Sequence, residues 1–520
     1  MIMWLRRKIV LVFLCLFVLF VTSVFADTES KIYPKLTLES GAAYLGLFDV
    51  KTNTEAFLGI PFAVPPVGSL RWSPPKPFVE SNEITNAQSF APACMQGLHI
   101  FNWYKNVAEG FSSDPKVIKN PYSSEDCLYL NIWRPSGTRE GEKLPAIIYI
   151  HGGSNKGGWS FEPNYIGDNL AKHGVVVITI AYRLGVFGYF SHPDLREANF
   201  GLLDQIHAVK WIHKHAKELG IDTSNIAIMG ESAGASAATF MAISPIARKL
   251  FSKIIFQSGG FSLSSIASKS DYHELGKKFE KQLLTNESKN PVAELRNIDA
   301  KKVLAAAEVV YRDHFFTPVI DQNSLFSEVT SENFEMSLLS KDLLIGSNEN
   351  EWLMYIDENQ DLDDWLATEV REESRLPLKA LLKEDRNDLE AIDKLMSAKI
   401  FACPSLTLAR TTIASGGKVW FYQFNRKRIN DVSDRMGAYH GAELPYVFDK
   451  HDDWLPTVDV DRSITRDMQK YWTNFSKYGD PNSKTLSAWP MFEKTEQLVF
   501  YIGEKYFSKS HISEKFCEYL

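Results

Sequence analysis

The chain has 520 residues, 45% of them hydrophobic and 12% aromatic, which is enough apolar side chain to bury a large core. Lys and Arg number 57 against 64 Asp and Glu, a formal charge of −7, and a mildly acidic balance argues against a nucleic-acid partner. No Ser/Gly/Pro-rich linker or internal repeat divides the chain, so one large domain over residues 27–520 is expected rather than two or three smaller ones.

Residues 1–26 read as a secretory signal peptide. Arg6, Arg7 and Lys8 precede an apolar stretch that ends Val24-Phe25-Ala26 before Asp27, with small residues at the cleavage positions. An uncleaved membrane anchor is the alternative that the length of the stretch leaves open. Cleavage removes three basic residues and no acidic one, taking the formal charge from −7 to −10. No later segment is apolar enough to span a membrane, and the C-terminal Lys515-Phe516-Cys517-Glu518-Tyr519-Leu520 carries neither an ER-retention signal nor a GPI tail. Secretion through the ER is therefore expected. Of five cysteines, Cys15 lies in the signal peptide, and Cys94, Cys127, Cys403 and Cys517 remain. In an exported chain an even number implies disulfides, and four cysteines allow three pairings. The triplets Asn286-Glu287-Ser288 and Asn474-Phe475-Ser476 are glycosylation sequons that fit the same compartment.

In the mature chain, Phe57-Leu58-Gly59-Ile60-Pro61-Phe62-Ala63-Val64-Pro65-Pro66 reads as short antiparallel strands with proline at edges and corners. From about residue 128 the rhythm changes to short, wholly apolar runs at 128–133, 146–150, 175–180 and 226–229. Such runs bounded by glycine and polar residues predict strands buried on both faces, as in a mixed, largely parallel sheet. Residues 199–217 carry apolar side chains at helical spacing, and Asp222-Thr223-Ser224-Asn225 leads into the next strand, a βαβ pattern. The charged segments 266–310 and 357–415 predict helical excursions, and 418–424 and 497–502 return as late strands.

Four stretches carry chemistry. In "YIHGGSNKGG" a strand runs into His151-Gly152-Gly153-Ser154, where residues without bulky side chains let backbone N–H groups approach a substrate oxygen. An ordinary glycine turn after a strand is the plainer reading. In "MGESAG" the serine Ser232 stands between a buried strand and a small-residue helix, so a sharp turn needs Gly230 and Gly234 without side chains. That places Ser232 exposed at a helix N-terminus, where the dipole and free N–H groups favour negative charge. Gly153 and Ser154 N–H, with Ala233 N–H, would form an oxyanion hole. A serine nucleophile needs a base and the base an orienting acid. "DLLIGSNENEW" offers Glu349 and Glu351 directly after a buried strand, and residue pattern does not choose between them. Of the twelve histidines, His213 and His215 lie two apart on a predicted helix and point different ways, which disfavours a metal pair. Most others lie in charged, helix-like or loop context, which predicts solvation. His440, in "MGAYHGAELPYVF", sits among small residues before an apolar segment and is the candidate base.

These motifs together resemble the type-B carboxylesterase and cholinesterase family of α/β-hydrolases. The resemblance covers nearly the whole mature chain through "FLGIPFAVPPVGSLRW", "SSEDCLYLNIW", "IIYIHGG", "AYRLGVFGYF", "NFGLLDQIHAVKWI", "GESAG", "FFTPVID", "GAYHGAELPYVF" and "WTNFSKYGDPN". It implies the α/β-hydrolase fold, a large mixed, mostly parallel central sheet flanked by helices. It implies Ser232 as nucleophile, Glu351 rather than Glu349 as acid, His440 as base, and Gly153, Ser154 and Ala233 as oxyanion donors. It further implies disulfides Cys94–Cys127 and Cys403–Cys517, structural ion pairs Arg71–Glu125 and Arg183–Asp204, and Phe316 with its neighbour Phe315 at the acyl pocket.

The chain departs from the family where Ser154 replaces a third glycine and Asn155 an aromatic residue. A backbone N–H survives at Ser154, with a narrower approach for bulky acyl groups. The family's Asp-Glu-Gly is here Asn350-Glu351-Trp352, and Trp352 would fill part of the gorge. The tryptophan with which cholinesterases meet the choline cation is absent from 117–120, and Trp103 in the same cysteine loop is not assignable, so choline esters are disfavoured. The expectation is a secreted serine carboxylesterase for uncharged, apolar small-molecule esters, with no metal or organic cofactor, no nucleic-acid partner and no membrane span after signal cleavage. The rivals are a neuroligin-like adhesion ectodomain, against which the intact serine, acid and histidine argue, and, among enzymes, a hormone-type esterase or lipase.

Overall fold

Side chains on successive residues of a strand face opposite sides of the sheet, and here both sides are apolar. The computed structural model describes residues 33–261, 266–286, 288–326, 331–339, 341–383, 387–429, 435–511 and 513–520. The segment read as a signal peptide, 1–26, lies outside them. Among the described residues eleven strands form one sheet. They are β1 (Leu47–Asp49), β2 (Thr54–Pro61), β3 (Tyr129–Pro135), β4 (Leu144–Ile150), β5 (Val176–Ile180), β6 (Ile221–Glu231), β7 (Lys253–Gln257), β8 (Asp342–Asn348), β9 (Val419–Phe424), β10 (Leu498–Ile502) and β11 (Phe507–Ser510).

Their order across the sheet is β11-β10-β9-β8-β7-β6-β4-β5-β3-β2-β1. Strands β5 through β10 with β4 run parallel, while β1, β2 and β3 at one edge and β11 at the other are antiparallel. All five residues of β5 and of β7 are buried, as strands covered on both faces must be. Along β4, Ile148 and Ile150 join one apolar cluster while Ile147 and Tyr149 join the cluster on the other face. β6 begins at Ile221, ahead of the apolar run, and a register shift between Ile221 and Ile226 absorbs the polar residues between them. β11 escapes the sequence reading because all four of its residues are exposed.

Helices α1 (His99–Gly110), α2 (Phe200–Lys214), α3 (Ala233–Ile243), α4 (Asp388–Ser397), α5 (Cys403–Ala414) and α6 (Asp459–Tyr478) border the site or brace the sheet that carries it. The charged segments are helical excursions with apolar clusters of their own, one including Phe316 and Tyr311, the other Trp365 and Ile392. Disulfides join Cys94 to Cys127, closing the loop that contains α1, and Cys403 to Cys517, tying the start of α5 to the C-terminal turn. Arg71 pairs with Glu125 through two hydrogen bonds of 2.6 Å and also donates to the carbonyls of Leu295 and Ile298, which fastens the cysteine loop to the first excursion. Arg183 and Asp204 form a fully buried bidentate pair. Residues Lys35–Leu520 make up one compact unit. No helix among the described residues is long and apolar enough to cross a membrane.

Chain order decides where a site can form. From β4 the chain adds β5 on one side and then crosses to place β6 on the other. Adjacent strands whose connections diverge leave a crevice at their carboxyl ends. The ends of β4 and β6 carry the glycine strip and Ser232.

Candidate active site

The turn after β6 is as sharp as the glycines predict. Ser232 has φ 56° and ψ −124°, and α3 begins at the next residue. A side chain with φ in this region costs about 1–3 kcal/mol and persists only where its surroundings impose it. A Cβ on Gly230 would stand 2.3 Å from the Gly234 backbone, and one on Gly234 would stand 2.0 Å from the Ile150 carbonyl oxygen. Ser232 N–H donates to Gln257 O at the end of β7, 2.8 Å away, fixing the turn to the neighbouring strand. Ala233 is the first residue of α3, so its N–H has no intrahelical acceptor.

The strip after β4 runs beside this serine: a Cβ on Gly152 would lie 2.9 Å from Ser232 Cβ. Gly153, Ser154 and Asn155 all have positive φ, 91°, 56° and 53°. Among the described residues the N–H groups of Gly153 and Ser154 donate to no protein acceptor. Asn155 is buried and works as a bracket. Its Nδ2 donates to Phe316 O at 2.8 Å, its Oδ1 accepts from Tyr189 OH at 3.2 Å, and its carbonyl accepts from Gly185 N–H at 2.6 Å. The residue that departs from the family thus joins the strip to the loop carrying Phe315 and Phe316. Phe316 is buried against Tyr311, whereas Phe315 is 75% exposed, with Lys156 over its ring.

Glu349 and Glu351, two residues apart, face different partners. Glu351 Oε2 accepts from His440 Nδ1 at 2.6 Å and its Oε1 accepts from Asn348 N–H at 2.7 Å. The carboxylate of Glu349 lies 3.3 Å from Lys427 Nζ at the surface. His440 Nε2 is 3.1 Å from Glu231 Oε1, the carboxyl beside the elbow serine, but out of line, so that oxygen has no hydrogen bond. Ser232 Oγ makes no hydrogen bond among the described residues, and apo hydroxyl–imidazole contacts commonly tighten only on substrate binding.

Two carboxyls that residue pattern did not single out complete the surroundings. Glu443 accepts from Gln257 Nε2 at 2.9 Å and from Asn348 Nδ2 at 2.6 Å, while Glu231 stands behind the serine. A ring of contacts therefore runs from Ser232 through Gln257, Glu443, Asn348, Glu351 and His440 to Glu231. Both acids lie inside the quoted motifs "GESAG" and "YHGAELPYVF", yet a glutamate there looks like any polar neighbour until the fold closes around it. Burial pushes the Glu231 carboxyl up, with Glu443 and Glu351 adding to the rise, while the imidazole of His440 pulls it back down. Burial alone would lower His440, but Glu231 and Glu351 outweigh it and raise the imidazole to about 9. Burial and Glu351 together raise Glu443.

Aromatic rings line the same place. Phe401 stacks on His440 with centroids 4.9 Å apart, and Trp352 stacks behind Phe401 at 6.2 Å. Trp352 is thus packed against Phe401 and Tyr355. Trp103, from α1, donates through Nε1 to Tyr355 OH, and its ring reaches within 3.7 Å of where a Cβ on Gly441 would stand.

Solvation holds for His99 and His314, which are exposed, but not for all of the remaining histidines. His192, His215, His451 and His511 are 1%, 1%, 2% and 4% exposed. Three of them rest against carboxylates: His192 on Glu280, His215 on Glu80 and His451 on Asp449. His192 and His215 looked solvated because the carboxylates they rest against lie far away in sequence. His213 meets the carbonyl oxygen of Leu250 at 2.7 Å. Among the described residues no group of three or more His, Cys, Asp or Glu side chains is placed to hold a metal. Of the sequon asparagines, Asn286 is exposed, whereas Asn474 lies on α6 with its Nδ2 donating to Pro481 O at 3.2 Å.

Comparison with known proteins bears on this arrangement. The model of the carboxylesterase family matches residues 44–520. A cocaine esterase from Homo sapiens is 31% identical over 503 residues, covering 90% of this chain and 87% of that protein. A fumonisin B1 esterase from Sphingopyxis macrogoltabida is 28% identical over 502 residues, covering 87% of this chain and 84% of that protein. Among solved structures, a carboxylesterase from Geobacillus stearothermophilus superposes with a TM-score of 0.79 at 25% identity, covering 94% of this chain and all of that one. A fold of helices on a large, mostly parallel sheet, with a serine elbow beside a glycine strip, agrees with these relatives: the chain belongs to the carboxylesterase family and is a carboxylic-ester hydrolase of the α/β-hydrolase fold.

Proposed function

We propose that the protein is a secreted serine carboxylesterase acting on uncharged, apolar esters, with residues 27–520 as its single domain once the segment 1–26 is removed. Ser232 Oγ attacks the ester carbonyl carbon while His440 Nε2 takes the hydroxyl proton. The N–H groups of Gly153, Ser154 and Ala233 hold the resulting oxyanion. The carbonyl re-forms, the C–O bond to the alcohol breaks, and His440 returns the proton to the leaving alkoxide. Water deprotonated by the same imidazole then cleaves the acyl-enzyme, and the proton goes back to Ser232 Oγ. Glu351 keeps its hydrogen bond to Nδ1 throughout, fixing the tautomer. Phe316, and the more exposed Phe315, border the acyl side, and Trp352 stiffens the wall behind His440.

The observation that carries this reading is the 2.6 Å bond between Glu351 and His440 beside a strained serine whose flanking N–H donors are free. The two disulfides fit an oxidising compartment. Asn286 is the glycan site that exposure favours. The relatives' names point to different esters, and acyl-chain preference separates a general carboxylesterase from a hormone-type esterase or lipase.

The test is to incubate the secreted protein with an organophosphate ester probe and map the labelled peptide. Label on Ser232, turnover of a short-chain nitrophenyl ester, and loss of both in Ser232→Ala are expected. Turnover retained by a folded Ser232→Ala protein would refute the nucleophile.

A further inference from the structure

We infer that Phe401 is a positioning residue of the esterase, holding the plane of the His440 imidazole; this rests on the reading of His440 as the base. The ring of Phe401 lies against that imidazole with centroids 4.9 Å apart and planes 26° from parallel. Phe401 is 6% exposed, yet it belongs to none of the four apolar clusters among the described residues. Its ring partners among the described residues are His440 and Trp352, the latter 6.2 Å away at 25°. Trp352 directly follows Glu351, so one stack ties the residue after the acid to the base itself.

The local backbone is built to deliver this ring. Between α4 and α5 the chain makes a π-helical turn, Ala398–Ala402. Such a turn takes one more residue than an α-helical turn and re-aims the side chains that come after it, which is why it recurs at functional sites. Its two ends are anchored. Upstream, the buried carboxylate of Asp393 accepts from Trp352 N–H at 2.9 Å, Asn350 Nδ2 at 3.0 Å and Ser397 Oγ at 3.2 Å, locking α4 to the turn that carries Glu351. Downstream, Cys403 begins α5 and is bonded to Cys517.

A held ring matters because His440 is restrained by one hydrogen bond, from Nδ1 to Glu351. That bond leaves the imidazole free to tilt about its axis. Nε2 has two claimants, Ser232 Oγ and Glu231 Oε1, the latter 3.1 Å away. A flat ring against one face blocks tilting out of the plane and leaves the in-plane movement that hands Nε2 from Glu231 to Ser232. The same ring face favours the imidazolium formed in the transition state and keeps water off the Glu351 bond.

The test compares Phe401→Leu with the unmodified secreted protein on a short-chain nitrophenyl ester. We expect kcat to fall about tenfold with KM within about twofold, because an orienting contact that matters in the transition state is lost and no substrate contact is. Phosphorylation of Ser232 by the organophosphate probe, which needs the base but no deacylation, slows in parallel. Phe401→Tyr keeps the aromatic face and restores kcat to within about threefold. Should Phe401→Leu not accumulate as folded protein, Phe401→Met, apolar, flexible and not aromatic, is read the same way. A kcat within twofold of the unmodified enzyme, or a raised KM at unchanged kcat, overturns the inference, the second result making Phe401 a substrate contact. Failure of the unmodified protein to label at Ser232 overturns the triad reading instead, so the two failures are distinguishable.

Discussion

Three buried carboxyl groups surround one imidazole, and the balance among them sets the working pH. Glu231 and Glu351 raise His440 above an ordinary histidine against the pull of burial, so the resting base holds its proton to higher pH than a free imidazole and must lose it before it can act. The rate constant kcat/KM, which reports the free enzyme, is therefore expected to rise from neutral pH toward about pH 9. Glu231→Gln removes one of the two raising carboxyls, and the midpoint should move down toward the ordinary value. A midpoint that stays or climbs would show that Glu231 does not act on the base. Glu351 and Glu349 offer a second comparison at this scale. Because Glu351 bonds His440 and Glu349 faces Lys427, Glu351→Gln should slow turnover by about a hundredfold or more while Glu349→Gln changes it little. The reverse ranking moves the orienting role to Glu349.

At the scale of elements, the site is a set of strand ends. β4 delivers the strip, β6 the serine, β7 Gln257, β8 Glu351, and the loop after β9 His440. Packing between β4, β6 and α3 leaves no room for side chains at the turn, as the 2.0 Å approach of a Gly234 Cβ to Ile150 O states most directly. Gly234→Ala is expected to cost more than about 3 kcal/mol, the range in which backbone must move rather than a side chain turn aside. Melting temperature and secreted yield measure it, and a variant as stable as the parent would mean that the elbow is looser than this packing requires. These elements were legible in the sequence because apolar runs and flanking glycines are local records of burial and turn geometry. β11 was not, since an exposed edge strand stabilised by backbone pairing leaves no apolar pattern. The π turn was not either, since the residues around Phe401 read as ordinary helix.

Across the whole molecule, burial leaves several groups holding protons that the unfolded chain would release. Glu162 is raised to about 7 and Asp393 to about 6, each mainly by burial, and His440 to about 9 by the carboxyls around it. A raised carboxyl binds its proton in the folded state above the pH at which the unfolded chain has lost it, so stability falls as pH rises between the two values. The raised histidine acts in the same direction, its contribution complete below about 6.5 and lost through about 9. His151 and His511, lowered by burial to about 4, act oppositely and only between about 4 and 6.5. Melting temperature should therefore decline from about pH 6.5 to 8, above which Lys341, lowered by burial to about 8, acts oppositely, and a rise over that interval would contradict the assignment of these groups as buried acids and base.

The inner strands of the sheet, the elbow, the strip and the family resemblance are written in neighbouring residues: apolar runs that must be covered, glycines that must admit a backbone, a serine between them. Residue pattern left Glu349 and Glu351 equal, and resemblance alone favoured Glu351. Only the tertiary structure showed which carboxyl faces His440, that Glu231 and Glu443 close the ring around it, that Asn155 brackets the strip to Phe316, and that Phe401 lies on the imidazole. Those contacts join residues brought together from separate strand ends and excursions, and charged helical segments look alike in sequence whether they meet water or a buried partner. Local chemistry is encoded locally, whereas the pairing of one charge with another is decided by which strands end side by side.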